Sequence, residues 1–382
     1  MFSGKNIKLL TCCLLSVAVT LGAVTWKVQE ITGDAVGTLR FLRAMSIVKN
    51  NFDGKADNKV LFDGAIEGMV HALDDPYSVY LDKEDFTKLS EMTEGSFGGI
   101  GIVFGKRGDD YVVISALADH PGALAGIKSG DIILAVDGAE TAKMNMTDVA
   151  DKIRGKQGTE VVLRLRTKDG EEKEVKVVRK DIKAPSVGGQ LLPNTKIGYI
   201  RITVFNEATG EDFKKTYEKL QAEGMEATIL DLRGNPGGIL DDGVAVAGML
   251  VPKGPIVSLV YKNGDKYVEN SSLEQIKYPL AVLVDHGTAS AAEIVAGAVK
   301  DTKAGKLFGV KTFGKGSVQG VYRIDNDTAV KITTARYYTP SGVSIHNVGI
   351  EPDVKIEMPD NAVTDVQLEA AQDYLQQELQ KK

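Results

Sequence analysis

Between residues 182 and 359 the chain alternates β-type runs with helical stretches, and no other feature restricts its fold as tightly. Residues 196–203, 227–232, 280–284 and 329–338 read as strands, while 213–220, 241–250 and 290–300 read as helices. Runs of these two periods in alternation bury their apolar faces only by stacking in layers, so this part is expected to be an α/β domain.

The flanking sequence changes character on both sides. Residues 27–95 read as helical, with Leu39, Leu42, Ile47 and Val48, then Leu61, Ala65, Met69 and Ala72, near helical spacing. Asp74-Asp75-Pro76 ends the second of these helices. Residues 96–181 form a small mixed β domain, with runs at 112–114, 132–136 and 161–165 and turn signals at Asp137-Gly138 and Lys168-Asp169-Gly170. A short helix is expected over 147–154, capped by Thr147. Leu368, Ala371, Leu375 and Leu379 put a helical stripe in 360–382. The chain is thus a multidomain α/β protein divided into 1–26, 27–95, 96–181, 182–359 and 360–382.

Residues 1–26 carry a membrane signal. Lys5 and Lys8 precede an uncharged run over 9–26, long enough for a single-pass span. Lysines on its amino-terminal side keep that end in the cytoplasm and put the remainder outside. A cleaved signal peptide is the competing reading, although Gly22-Ala23-Val24-Thr25 is a poor A-x-A site. Cys12 and Cys13, the only two cysteines, sit inside the run and read as membrane-embedded thiols. The exported part has none and cannot depend on disulfides.

Composition excludes other classes. Lys plus Arg number 46 against 52 Asp plus Glu, a formal charge of -6, which argues against a nucleic-acid partner. The four histidines, His71, His120, His286 and His346, are scattered without metal-ligand spacing, so no metal or cofactor is expected.

Three segments of the α/β part can carry chemistry. Asp231-Leu232-Arg233-Gly234-Asn235-Pro236-Gly237-Gly238 runs a strand into a tight turn whose N–H groups can hold an oxyanion. Asp285-His286-Gly287-Thr288-Ala289-Ser290-Ala291-Ala292-Glu293 starts a helix near Ser290, where the local potential is positive and the Ala291 N–H faces a bound carbonyl. The third, Gly309 to Gln319, places Lys315 between Gly314 and Gly316, where backbone can approach closely. A serine hydroxyl needs a base. His286 lies across the turn, and Asp285 alternates to the opposite strand face, so a Ser-His-Asp triad is disfavoured. A lysine neutral at the working pH can serve instead, and Gln319 can share a face with Lys315 and hold its amine.

These segments resemble the carboxy-terminal processing peptidases, or tail-specific proteases. Thr288 to Glu293 match the family's serine segment, and Thr312 to Gly316 match its Thr-Phe-Gly-Lys-Gly segment. Gln319, the turn from Leu232 to Gly238, the run from Thr333 to Gly342, Gly349 to Asp353 and Asp74 to Leu81 match as well. Pro121 to Asp131 with Ile132 to Gly138 resembles the PDZ signature. The resemblance implies a crotonase-like α/β layered serine protease core with a PDZ insert that binds free carboxyl termini of protein substrates. It implies Ser290 as nucleophile, Lys315 as base and Gln319 as its support. N–H groups of Gly237 or Gly238 and of Ala291 would form the oxyanion hole. The turn of Gly98, Gly99, Ile100, Gly101 and Ile102 presents N–H groups where a peptide carboxylate could dock while its strand adds to the sheet edge; Arg154 could pair with a carboxylate, although a solvated arginine is at least as plain a reading. A homo-oligomer or an activating partner is compatible with this. Val343, His346 and His286 depart from the residues usual in the family.

Two alternatives compete. Gly309 to Gly316 is nearly a Walker loop of a nucleotide-binding protein, but Gly316 stands where Ser or Thr should hold Mg²⁺. A non-catalytic envelope scaffold would use the PDZ module alone.

Overall fold

The computed structural model describes residues 4–183, 185–359 and 362–381. The chain divides into two compact units, Met1–Tyr80 and Leu81–Lys382. The first holds three helices, α1 (Gly4–Thr32), α2 (Ala35–Asn51) and α3 (Asn58–His71). Asp34 and Asp57 cap the second and third by accepting the N–H groups of Gly37 and Val60. The stripe of Leu39, Leu42, Ile47 and Val48 on α2 is exposed. Helix α1 covers the uncharged run 9–26, yet among the described residues no helix is long and apolar enough to cross a membrane. The side chains of residues 4–15, including Cys12 and Cys13, lie outside the description.

Strand β1 (Val79–Leu81) spans the boundary between the units in sequence. Helix α4 (Lys83–Glu94) follows, with Asp82 as cap and Gly95 ending it in the left-handed region. The middle domain contains β2 (Ser96–Gly99), β3 (Ile102–Arg107), β4 (Asp110–Ala116), α5 (Pro121–Leu124), β5 (Ile132–Val136) and β6 (Ala139–Glu140). It continues with α6 (Met146–Ile153), β7 (Glu160–Arg166), β8 (Glu172–Val178) and β9 (Lys180–Lys183). Its main sheet has the order β3-β4-β5-β7-β8 and places β3 at an edge. Tyr111, Val113, Ile133, Val149 and Leu163 fill its core. Asn145 caps α6 with the Asp148 capping box, in place of the expected Thr147. An Asn three residues before Asp satisfies two terminal N–H groups reciprocally, which a threonine inside the helix cannot.

The α/β domain stacks helices on both faces of a sheet. A six-stranded sheet runs in the order β10 (Val187–Leu191), β11 (Ile197–Ile202), β12 (Ala227–Asp231), β15 (Leu280–Val284), β16 (Lys306–Gly309) and β19 (Val354–Lys355). All of its neighbours are parallel except β10 with β11. Helices α7 (Thr209–Ala222), α8 (Leu240–Gly248) and α9 (Ala291–Asp301) bury one face of this sheet with Ile200, Leu230 and Val282. Helix α10 (Val366–Gln380) covers the other face, setting Ala371 and Leu375 against Ile229, Leu283 and Phe308. A second, antiparallel sheet joins β13 (Gly254–Tyr261) to β14 (Lys266–Ser271) and to β18 (Ala329–Tyr338), which pairs in turn with β17 (Ser317–Arg323).

Candidate active site

The three turns singled out in the sequence leave the carboxyl ends of adjacent parallel strands β12, β15 and β16. Open α/β sheets gather ligands at such ends. Ser290 stands between the turn after β15 and the first residue of α9, with φ 55° and ψ -120°. That is an uncommon conformation for a residue bearing a side chain, and such strain concentrates at functional sites. Tight packing holds it. Ala289 N–H donates to the Asn235 carbonyl at 2.9 Å, and Thr288 Oγ1 donates to the Leu232 carbonyl at 2.9 Å, joining this turn to its neighbour.

Glu293 is the hub, fully buried at 0% exposure. Its Oε2 accepts the backbone N–H of Ser290 at 3.0 Å and of Lys315 at 2.8 Å. Its Oε1 accepts Thr312 Oγ1 at 2.5 Å and the Gly314 N–H at 2.8 Å. Burial pushes this carboxyl above its ordinary pKa, and the hydrogen bonds from Thr312, Lys315, Gly314 and Ser290 offset only part of that. On the opposite side the Tyr337 hydroxyl lies 3.0 Å from the Ser290 carbonyl and 2.7 Å from that of Lys315. One buried acid and one buried phenol therefore tie the serine turn to the lysine loop. Sequence reading gave neither residue a role, although the Ser290-x-x-Glu293 spacing is a capping-box signal.

Ser290, Lys315 and Gln319 line one pocket of about 410 Å³. Leu89, Met92, Val204, Ile239, Ile294 and Val318 provide its apolar walls, and Lys331 also borders it. The glycines around Lys315 behave as expected. A Cβ on Gly316 would lie 2.7 Å from the His346 nitrogen, and one on Gly314 would lie 2.8 Å from the Gly349 nitrogen. The Gln319 amide nitrogen donates to Ser317 Oγ at 2.9 Å and Thr333 Oγ1 at 3.2 Å, which fixes the orientation of its oxygen.

The two candidate oxyanion glycines differ. Gly237 packs on the serine itself, since a Cβ there would meet Ser290 Cβ at 2.7 Å, and its φ is 94°. Its N–H already donates to Asn235 Oδ1 at 2.8 Å. Gly238 is exposed, and among the described residues neither its N–H nor that of Ala291 at the helix start donates to a backbone acceptor.

Two readings fall away. His286 is exposed, and Asp285 Oδ1 instead accepts the N–H groups of Gly234 and Gly287, at 2.8 and 2.9 Å. The nucleotide loop also fails: Glu293 occupies the N–H groups of Gly314 and Lys315 that a phosphate would need, and the chain then enters strand β17 rather than a helix.

In the middle domain, Gly98 and Gly99 lie in β2, Ile100 and Gly101 form the following turn, and Ile102 opens the edge strand β3. Ile100 is a core residue at 1% exposure, so its side chain is withdrawn from any ligand. The turn carbonyls are occupied, that of Ile100 by the Gly122 N–H and that of Gly101 by the Leu117 N–H. Arg154, exposed at the end of α6, stacks its guanidinium 4.5 Å from the Phe97 ring centre.

Comparison with known proteins agrees with this layout. Residues 196–356 match the profile of peptidase family S41, residues 112–167 that of the PDZ domain, and residues 24–85 that of the activating protease CtpB N-terminal domain. The carboxy-terminal processing protease CtpA of Bacillus subtilis (strain 168) is 38% identical over 322 residues, covering 84% of this chain and 69% of the relative. Carboxy-terminal processing protease CtpB of the same organism is 35% identical over 324 residues, covering 83% and 67%. A probable CtpA-like serine protease of Staphylococcus aureus (strain N315) is 35% identical over 354 residues, covering 91% and 71%. Among solved structures, the photosystem II D1 C-terminal processing protease superposes with TM-score 0.52 at 30% identity, covering 92% of this chain and 96% of that one.

Proposed function

Since this chain belongs to peptidase family S41 and is a serine-type carboxy-terminal processing protease, we propose that Ser290 and Lys315 form its catalytic dyad. The observation that carries this reading is the convergence of Ser290, Lys315 and Gln319 on one pocket. Ser290 Oγ attacks the carbonyl carbon of the scissile bond while the neutral Lys315 amine takes its proton. The carbonyl oxygen becomes an oxyanion between the N–H groups of Gly238 and Ala291. Gly238 is the better donor of the two glycines, because Asn235 already holds the N–H of Gly237. The Lys315 ammonium then protonates the departing amine, leaving an acyl ester on Ser290. Water, deprotonated by Lys315, attacks that ester and releases the new carboxyl terminus. Gln319, whose amide nitrogen is anchored by Ser317 and Thr333, keeps its oxygen free to orient that amine. The apolar walls at Leu89, Met92 and Ile294 suit an apolar substrate side chain.

Substrate tails are captured in the PDZ domain, where the edge strand β3 can accept an added strand and Arg154 can meet the carboxylate. The protein is held at the cell membrane by its amino-terminal segment with the catalytic part outside, a reading that rests on Lys5, Lys8 and the uncharged run 9–26. Recovery of the full-length chain in a carbonate-washed membrane fraction tests it, and release of the chain into the wash overturns it.

Digestion of a denatured protein mixture with mapping of product termini tests the dyad. Ser290→Ala and Lys315→Ala are each expected to lose cleavage while staying folded. Lys315→Arg is expected to be equally inactive, because a guanidinium stays protonated. Wild-type activity is expected to rise with pH as the lysine loses its proton. Near-normal cleavage by Ser290→Ala or Lys315→Ala removes the mechanism.

A further inference from the structure

The turn 232–238 is tied to the serine turn by the bonds of Leu232, Gly234 and Asn235 to Thr288, Asp285 and Ala289, and it is also gripped through a side chain of its own. Arg233, with a side chain 12% exposed, bonds its guanidinium to residues that do not line the pocket. Nε and Nη2 donate to Asp231 Oδ1 and Oδ2 at 2.9 and 2.7 Å. Nη1 and Nη2 donate to Asp365 Oδ1 and Oδ2 at 2.8 and 2.7 Å. Nη1 also reaches Gln367 Oε1 at 3.1 Å. Every N–H of the guanidinium is thereby engaged, two carboxylates are held in bidentate fashion, and a lysine could not reproduce that fork.

The two carboxylates belong to distant parts of the chain. Asp231 is the fully buried last residue of β12, and the Tyr199 hydroxyl donates to its Oδ2 at 2.7 Å. Asp365 caps α10 by accepting the Leu368 N–H at 3.0 Å. Gln367 binds the Ile356 carbonyl at 2.8 Å as well as Arg233. The guanidinium thus joins the start of α10 to the turn that carries Gly237 and Gly238. The backbone N–H of Arg233 also donates to Asp231 Oδ1, at 3.0 Å, so main chain and side chain are fixed together.

We propose that Arg233 and Asp365 are positioning residues through which the carboxyl-terminal helix α10 sets the oxyanion turn. The inference rests on the assignment of Gly238 as an oxyanion donor. A turn held from one side only can rock about its glycines. Oxyanion stabilisation depends on donors fixed before the charge develops. The loss should therefore fall on the transition state and not on substrate binding.

The test uses the full chain and a peptide substrate whose cleavage is abolished by Ser290→Ala. Asp365→Ala and Asp365→Asn are expected to lower kcat about tenfold or more with KM within about twofold of wild type. They are expected to weaken inhibition by a peptide aldehyde, whose hemiacetal presents an oxyanion, by a similar factor. Binding of the uncleaved peptide, measured with the same changes in a Ser290→Ala background, should not move. Asp365→Glu should recover part of the loss. Leu375→Ala, which removes apolar packing from the same helix without touching Arg233, controls for stability: it should lower the melting temperature and leave kcat at the assay temperature unchanged. Unchanged kcat in Asp365→Ala overturns the proposal, and so does an equal fall of kcat in Leu375→Ala. Persistent cleavage by Ser290→Ala would instead remove the dyad, so the two failures are distinguishable.

Discussion

The Glu293 carboxylate accepts the backbone N–H of Lys315 at 2.8 Å, and through its other bonds it holds the serine turn in the same grip. Glu293→Gln keeps the volume but turns an NH₂ group toward N–H donors that need acceptors. Hydrogen bonds to a charged group are worth about 1.5–3 kcal/mol each, so activity should fall at least about tenfold. Steady-state kinetics beside a melting curve checks this. Wild-type kcat in the variant would show that the carboxylate does not set the geometry of the proposed dyad.

The same residue gives stability a pH slope. Because its folded pKa lies above the ordinary value of about 4.3, the native chain binds more protons than the unfolded chain between the two values. This contribution to stability is present below the ordinary value and lost as pH rises through the raised one. Asp365 has the opposite sign. Burial alone would raise its pKa, but hydrogen bonds from Arg233 and Leu368, with the arginine charge, hold it below the ordinary value. Its contribution is present above about 3.9 and lost as pH falls through the depressed value. Urea unfolding across the acid range should show each slope disappear in Glu293→Gln and Asp365→Asn respectively, and an unchanged curve in either counts against its assignment.

Gly237→Ala should be more damaging than its size suggests. The new Cβ would lie 2.7 Å from Ser290 Cβ, at a position with φ 94°. Left-handed strain costs about 1–3 kcal/mol, and displacement of the turn should cost about 100-fold in kcat/KM. Near-normal turnover would mean that the turn is free to move without consequence.

Arg154→Ala should raise KM about tenfold for a peptide with a free carboxyl terminus, in line with loss of a charge-assisted hydrogen bond. The same peptide amidated should bind wild type and variant alike. Equal wild-type affinity for acid and amide would remove carboxylate reading from the PDZ domain.

Much of the α/β core was legible because its signals are local. Residues 280–284 and 329–338 read as strands and are strands, and the helix start at Ser290 follows from its turn. The hairpin of β13 and β14 escaped, although Asn263-Gly264 is a strong turn signal. The role of Glu293 was hidden for a deeper reason. An acidic residue in the first helical turn ordinarily faces water, and only the approach of the lysine loop makes it a buried anchor. The difference between Gly237 and Gly238 was likewise hidden, because only the fold brings the Asn235 side chain to the N–H of one of them. Arg233 and Asp365 stand 132 positions apart, and no pattern of spacing in a single chain announces such a pair.

The unusual backbone at Ser290 has a bearing on when the molecule can act. A nascent chain has no reason to keep that residue at φ 55°, because the bonds that hold it there reach far downstream. The Ser290 carbonyl waits for the Tyr337 hydroxyl, 47 positions further on, and the neighbouring turn waits for Asp365, 132 positions beyond Arg233. Until those arrive the serine turn lacks bonds that hold its native conformation. On the proposed assignment of Ser290, a partly made chain is thereby spared a working blade, because the site is assembled only when these downstream segments have folded.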